Sequence, residues 1–119
     1  MVEKVGSYAT RKTIMIGQDS YYIALPCVVS GTANETILAG TPLTGDLTDR
    51  DAGFQAATGA MKCAGMLLHD VKLDNVGEGN GTIVLAGCVD LLKLDPSVVT
   101  LLNQAEGLDN IIKVKGSAI

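Results

Sequence analysis

The chain has 119 residues and a net charge of −4, and 47% of its residues are hydrophobic although only 3% are aromatic. This length fits one domain that can fold without a metal or a disulfide, around a core of mainly aliphatic side chains. No basic stripe follows residue 12 and no apolar run approaches the roughly 18 residues of a membrane span, which argues against binding of nucleic acid or membrane.

Positive charge is concentrated at the start of the chain. Residues 1–18 carry three bases and one acid, whereas the remainder carries six bases and twelve acids. Lys12–Ile16 is a possible short strand, isolated from the other apolar runs. We therefore interpret residues 1–20 as an extended, partner-dependent arm and residues 21–119 as the folded domain. A solvated tail explains the charge asymmetry equally well.

Two strands are predicted at the start of the domain. The apolar run Tyr21–Gly31 is typical of a strand, and Pro26 breaks it or places it at a sheet edge because proline has no N–H. A short strand is predicted at Thr36–Ala39. Gly40–Pro42 then forms a corner.

A polar, irregular stretch follows at Asp46–Gly59. We predict one helical turn in it, with Asp51 as the N-cap. Asp49, Arg50 and Asp51 place a base between two acids, which a self-compensating surface loop explains. The functional alternative is an inter-subunit ridge in which the Arg50 guanidinium is the anchor.

The best predicted strands are Ala60–Leu73 and Gly81–Leu94. Both faces of each are largely apolar, which predicts a position between two layers. Asn80–Gly81 is a strong turn signal and predicts that the two strands form a hairpin around it. Alternation places Val89 on the same face as Ile83 in the second strand.

The clearest helix is Asp95–Gly107. Asp95 is a good N-cap, Pro96 suits the first helical position, and Gly107 suits a left-handed C-terminal cap. Apolar residues at helical spacing form its buried stripe. They are Val98, Leu101, Leu102 and Ala105.

The last segment predicts a half-exposed strand after the helix. Ile112 and Val114 alternate with Lys113 and Lys115, so the two apolar side chains share one face. The predicted elements together give a mainly β domain with one short C-terminal helix.

The three cysteines are Cys27, Cys63 and Cys88, and no CxxC motif occurs. An odd number of cysteines in apolar surroundings predicts buried free thiols and folding in a reducing cytosol. Zinc requires clustered cysteine and histidine ligands, which the sequence does not contain.

His69 is the only histidine and therefore the only candidate base for a catalytic triad. It lies in a predicted strand, where alternation directs His69 and Asp70 to opposite faces. Because Asp70 then cannot orient the imidazole, we interpret His69 as a packed or interface residue. We predict no catalytic residue and no cofactor.

Oxygen donors around the predicted hairpin loop raise the alternative of a calcium site. They are Asp70, Asp74, Asn75, Glu78 and Asn80. Their spacing departs from the EF-hand pattern, and acids and asparagines are common in hairpin connections. We predict no metal site, and a calcium-stabilised structural module is kept as an alternative.

Two blocks of the sequence are similar to phage head decoration proteins, including the head-fibre group of tailed phages. The blocks are ILAGTPLTGDLTDRD and AGMLLHDVKLDNVGEGNGTIVLAGCVDLLKL. The matching motifs lie at Ala39–Leu43, Ala64–Val71 and Asn80–Leu91, with a departure at Gly65–Met66, where the family more often has Val-Gly. The resemblance covers roughly residues 36–95, and none of its motifs is catalytic.

The resemblance to lambda-type decoration proteins implies a compact domain of the β-barrel or β-tulip type with an extended arm. It implies a homotrimer, made in the host cytoplasm, that binds the outer surface of the mature virion head and cements neighbouring major capsid proteins. The arm is then expected to bind the capsid by strand addition. The residues involved are Arg11, Lys12, Thr13, Ile14, Met15 and Ile16.

A different class of function is also possible for a small β-barrel. The AGTPL corner at Ala39–Leu43 is similar to one in small domains attached to sugar-acid enzymes. A sugar-binding or enzymatic domain is therefore the second hypothesis, and His69 is the residue on which it depends.

Overall fold

The computed structural model describes residues 14–17 and 22–115. Within these residues the chain is mainly β with one α-helix, as predicted. The strands are β1 (Ile23–Ser30), β2 (Thr36–Ile37), β3 (Pro42–Thr44), β4 (Gln55–Ala56), β5 (Gly65–Leu67), β6 (Val71–Lys72), β7 (Glu78–Asp90) and β8 (Ile111–Val114), and the helix is α1 (Pro96–Gln104). In the part of the chain described, no helix has the length and apolarity needed to cross a membrane.

Six strands form the main sheet, in the order β1-β7-β5-β3-β4, and β8 pairs with β7. The pairs are antiparallel except β7–β8, which is parallel. β2 and β6 form a separate small sheet. The main sheet is not closed into a barrel, so the barrel implied by the resemblance is not confirmed. Phe54, just before β4, forms a bridge with Val29 of β1.

β7 is the centre of the fold and separates two apolar clusters. Its Val84 contributes to one cluster, with Met66 and Leu102, and its Ile83 contributes to the other, with Leu67. The predicted position of these strands between two layers is therefore confirmed. The sequence predicts this position because both faces of each strand are apolar.

The hairpin turn lies earlier than predicted. Met66 pairs with Val84 and Leu67 with Ile83, a register that centres the turn near Asn75. Asn80 and Gly81 lie inside β7, where they pair with β1. The Asn-Gly turn prediction is wrong because pairing with β1 extends the strand through both residues.

Gly81 has a packing role instead of a turn role. A Cβ atom at this position would lie 2.9 Å from Val29 Cγ2 and 3.0 Å from Leu67 Cδ1. These distances are shorter than ordinary van der Waals contact, so glycine allows the second apolar cluster to close over the strand.

The faces of β7 change phase near its middle. The β1–β7 register shifts between Ile23 and Ala24, which leaves Leu85 as an extra residue in β7. Such a bulge reverses the side-chain alternation beyond it. Val89 therefore packs in the cluster of Val84 instead of that of Ile83, contrary to the prediction.

The region before β4 contains no helical turn. Asp51 is therefore not an N-cap. Phe54, just before β4, is fully buried and belongs to the second cluster. The N–H of Phe54 donates to Val28 (2.8 Å), and Ser30 donates to Phe54 (2.8 Å). These bonds to β1 replace the helical hydrogen bonds that the prediction required.

The helix begins as predicted and ends earlier. Asp95 accepts a hydrogen bond from the N–H of Ser97 at 3.0 Å, and Pro96 occupies the first turn. The helix stops at Gln104 because Ala105 is extended, with ψ 147°. Gly107 has a positive φ of 86° but does not cap the helix.

The buried face of α1 is narrower than the predicted stripe. Val98 and Leu102 are buried, whereas Leu101 and Ala105 are half-buried. The face of β8 also differs from the prediction. Ile111 is buried in the first cluster, while Ile112 is exposed.

Candidate interaction surface

The arm residues that the structure describes lie against the domain. Ile14 and Met15 are buried in the first cluster. Met15 forms an antiparallel bridge with Val89, and the N–H of Ile16 donates to Cys88 (2.9 Å). Ile14 and Met15 thus pack against the body, and the domain boundary at residue 20 stays a prediction. Arg11, Lys12 and Thr13 lie outside the described residues, and capsid binding by the arm stays a prediction.

An exposed apolar surface lies beside this segment, on the second half of β7. Ile23 pairs with Ala86, Ile112 pairs with Cys88, and Ile16 is hydrogen-bonded to Cys88. Directly paired residues face the same side of a sheet, and so do residues two apart in one strand. We call this surface the apolar face; its members are Ile16, Ile23, Ala86, Cys88 and Ile112.

The isoleucines of the apolar face are unusually accessible. Ile23 is 58% exposed, Ile112 is 57% exposed and Ile16 is 39% exposed. On the opposite side of the same strands, Met15, Val89 and Ile111 are buried. One side of this sheet region is thus held by the core, while the other presents apolar side chains to solvent. Clustered apolar exposure of this kind marks an interaction surface.

The cysteines differ in accessibility. Cys27 and Cys63 are buried, as predicted, and all three thiols are free. Burial raises the pKa of the Cys27 thiol, against an opposing effect of the Arg50 charge, and burial also raises the pKa of Cys63. Cys88 is only half-buried, contrary to the prediction, and lies in the middle of the apolar face.

The loop predicted as an inter-subunit ridge holds Arg50 against its own domain. The Arg50 Nη1 atom donates to the Pro26 carbonyl oxygen at 2.7 Å. The Arg50 carbonyl in turn accepts from the N–H of Val28 at 3.0 Å. Asp49 and Asp51 are exposed beside it. Arg50 therefore supports the proline-containing edge of β1, and the inter-subunit role of Asp49, Arg50 and Asp51 stays a prediction.

His69 is exposed in a bend between β5 and β6, so its predicted packing is wrong. The bend arises because the chain leaves one sheet for the other between Leu67 and Val71. Asp70 Oδ1 accepts the N–H of Ala39 at 2.7 Å instead of binding the imidazole. An interface role for His69 stays a prediction.

The oxygen donors of the hairpin loop serve backbone hydrogen bonds. Asp74 Oδ1 accepts the N–H groups of Val76 (3.0 Å) and Glu78 (2.9 Å). These bonds, that from Glu78 foremost, lower the pKa of the Asp74 carboxyl below its ordinary value of 3.8. Among the residues described, no three potential ligands of the His, Cys, Asp and Glu types are placed to share a metal ion.

The charge of Asp74 is expected to make the stability of the hairpin depend on pH. Because folding lowers the pKa of Asp74, its charged form stabilises the fold above pH 3.8, and this stabilisation is lost as the pH falls through the folded-state pKa. Asp74→Asn should therefore lower the free energy of unfolding at neutral pH, with a smaller difference from wild type in acid. Urea denaturation at a series of pH values measures it. A difference that stays constant down to the lowest pH would contradict the role of the charge.

A groove of about 500 Å³ opens at the other end of β7. Its lining includes the apolar side chains of Ile37, Ala56 and Val76 and the carboxylates of Glu35 and Glu78. Serine, threonine, glutamine and glycine residues complete the lining, and neither lysine nor arginine contributes. We call this surface the acidic groove.

Neither surface was predicted from the sequence. The adjacent isoleucines Ile111 and Ile112 were the available signal for the apolar face, because successive residues of a strand point to opposite sides. Only one of them can face the core. The acidic groove brings together residues from distant segments, such as Glu35 and Glu78, and their spacing in the sequence carries no sign of it.

Comparison with known protein families and with curated proteins found no match to this chain.

Proposed function

We propose that this protein is a non-enzymatic capsid decoration protein, which binds the outer surface of a phage head and cements neighbouring major capsid proteins. The resemblance at residues 36–95 is the sequence support for this proposal. We also propose that the main sheet curves into a β-tulip or barrel-like shape. The support is that Phe54, just before the edge strand β4, is hydrogen-bonded to β1 at the other edge of the sheet.

The observation that carries the proposal is the apolar face. It lies on a sheet region held from behind by buried Met15, Val89 and Ile111, so its shape is set before a partner binds. A preformed apolar surface loses little conformational entropy on docking. We propose that Ile23 and Ile112 contact the capsid together with Ile16, the arm residue that lies on the same face.

A capsid carries many copies of the same binding site, so a protein that contacts each site through a small area can still bind firmly if it engages several sites. Each copy gains only a modest affinity from a few isoleucines. An oligomer that binds several capsid subunits at once gains far more, because the later contacts form at high effective concentration. We therefore propose a homotrimer, as the resemblance implies.

The substitution Ile112→Lys is expected to weaken capsid binding at least tenfold. Full burial of an isoleucine side chain contributes about 1.5–3 kcal/mol, so burial of the 57% of Ile112 that is exposed contributes about 0.9–1.7 kcal/mol. Every 1.4 kcal/mol corresponds to a factor of ten in affinity. The buried ammonium group adds a further penalty. Co-sedimentation with expanded, undecorated capsids of the phage that encodes the chain measures the affinity and the stoichiometry.

Leu47→Lys is the matched control, because Leu47 is an exposed apolar residue outside the apolar face. It should bind as wild type does. Protection of Cys88 from a maleimide reagent on bound capsids gives an independent readout at the centre of the face. If wild-type protein fails to bind capsids at every maturation stage, the proposed function is wrong.

A further inference from the structure

We propose that the acidic groove of one molecule binds the N-terminal segment, residues 1–13, of a second copy of this chain. This contact lies at a different place from the apolar face and goes beyond the proposed function. It gives the segment a target other than the capsid strand expected from the resemblance.

The groove has the chemistry of a site for an extended cationic segment. Glu35 and Glu78 supply two exposed carboxylates with no basic side chain in the lining. Glu35 Oε1 accepts the N–H of Thr32 at 3.2 Å, which holds that carboxylate at the groove. Half-buried Ala56 and Val76, which is 71% exposed, add apolar surface to the lining.

The segment has the complementary chemistry. Residues 1–13 contain three bases, Lys4, Arg11 and Lys12, against the single acid Glu3. Tyr8 lies three residues before Arg11 and offers an aromatic side chain for the apolar surface. Tyrosine and arginine are both enriched among the residues that contribute most of the binding energy of interfaces.

The geometry prevents a molecule from placing Arg11 and Lys12 in its own groove. The N–H of Asp90, the last residue of β7, donates to Ile14, whereas Glu78, the first residue of β7, lines the groove. Thirteen residues at about 3.3 Å each separate those ends by roughly 40 Å along the strand. Arg11 and Lys12 lie within about 11 Å of Ile14, even in a fully extended chain. They reach an acidic groove only on another molecule.

Such a contact runs head to tail, because the segment leaves the domain beside Asp90 at one end of β7 and the groove includes Glu78 at the other end. Head-to-tail contacts between identical chains generate a closed ring when the rotation closes, and otherwise a filament. A closed ring of three is the arrangement that also satisfies the proposed trimer.

Charge exchange tests this proposal without capsids, so its failure is distinguishable from failure of the proposed function. Sedimentation-equilibrium mass is measured for wild type, for Arg11→Glu with Lys12→Glu, and for Glu35→Lys with Glu78→Lys. Each double variant meets like charges and should sediment as a single copy where wild type is oligomeric. An equimolar mixture of the two variants should reassociate, because each segment then meets a groove of opposite charge. The two variants must alternate in such an assembly, so the mixture should form a complex with an even number of chains and not the trimer.

The control is Glu106→Lys with Asp109→Lys, which makes the same change in net charge as the groove variant at exposed positions outside the groove. It should remain oligomeric, and circular dichroism should show that all variants are folded. A monomeric wild type overturns the proposal. So does an oligomer that survives both charge-reversed variants but is lost in Ile112→Lys, since the apolar face would then join the copies. A mixture that fails to reassociate also overturns it.

Discussion

Replacing Phe54 by alanine is expected to lower the free energy of unfolding by about 3–5 kcal/mol. Phe54 is the only phenylalanine and is fully buried in the second cluster. Truncation leaves a cavity in this cluster, which also contains Leu43 and Ile83, and a rigid sheet cannot close it. The loss is a large part of the total stability of a small domain, about 5–15 kcal/mol. Urea denaturation followed by circular dichroism measures the change in midpoint.

Leu47→Ala is the control for this substitution. Leu47 lies in the same polar stretch but is exposed, so its truncation should change stability by less than about 0.5 kcal/mol. Similar destabilisation by the two substitutions would show that Phe54 is no more deeply packed than Leu47. A large effect of Phe54→Ala would also support the observed structure of the region before β4, in which Phe54 is buried against β1 and no helical turn forms.

Replacing Gly77 by alanine is expected to cost about 2–3 kcal/mol, by two effects that add. Gly77 closes the hairpin turn with a φ of +83°, a conformation that alanine adopts only with strain. An added Cβ would also collide with the carbonyl oxygen of Gly31. The chain must then move and weaken the 2.9 Å hydrogen bond from Gly31 to Gly77. Thermal unfolding should show a lowered melting temperature.

Asn80→Ala distinguishes the observed turn from the predicted one. Asn80 is exposed within β7 and pairs with Val28, so its replacement should have a small effect. If the turn lay at Asn80–Gly81 instead, this substitution would be destabilising and Gly77→Ala would be mild. The pair of measurements therefore determines where the chain reverses.

The two proposed surfaces lie at opposite ends of β7. The apolar face includes Ala86 and Cys88, whereas the acidic groove includes Glu78. A molecule can therefore bind a capsid through one end and receive the segment of a neighbour at the other. This separation allows capsid binding and self-association to be disrupted independently, by Ile112→Lys and by reversal of the groove charges.

Local signals in the sequence predicted the start of the helix and the class of the fold. Asp95 and Pro96 act on hydrogen bonds and dihedral angles within one turn, so their effect does not depend on distant residues. Pro26 similarly predicted an edge position for β1, because a missing N–H excludes a central strand. The main chain there is supported by Arg50, which the sequence did not indicate.

Predictions that depended on a distant partner were the ones that differed. The Asn-Gly signal was overridden by pairing of β7 with β1, and the alternation of β7 was reversed at the bulge near Leu85. The C-terminal glycine signal was equally local, yet an extended Ala105 ended the helix before Gly107. In the two cases in β7, contacts with β1 determined the outcome, whereas at the end of the helix the extended backbone of Ala105 determined it.

The sequence by itself determined a mainly β domain with two apolar layers, one helix begun by Asp95, and a positively charged start. These properties follow from composition, periodicity and short-range hydrogen bonding. Only the tertiary structure decided that Ile14 and Met15 join the core, that His69 is exposed, and which isoleucines face solvent. Those outcomes depend on strand register, and a one-residue bulge reverses the faces of every residue beyond it. The apolar face and the acidic groove therefore become visible only once the strands are paired.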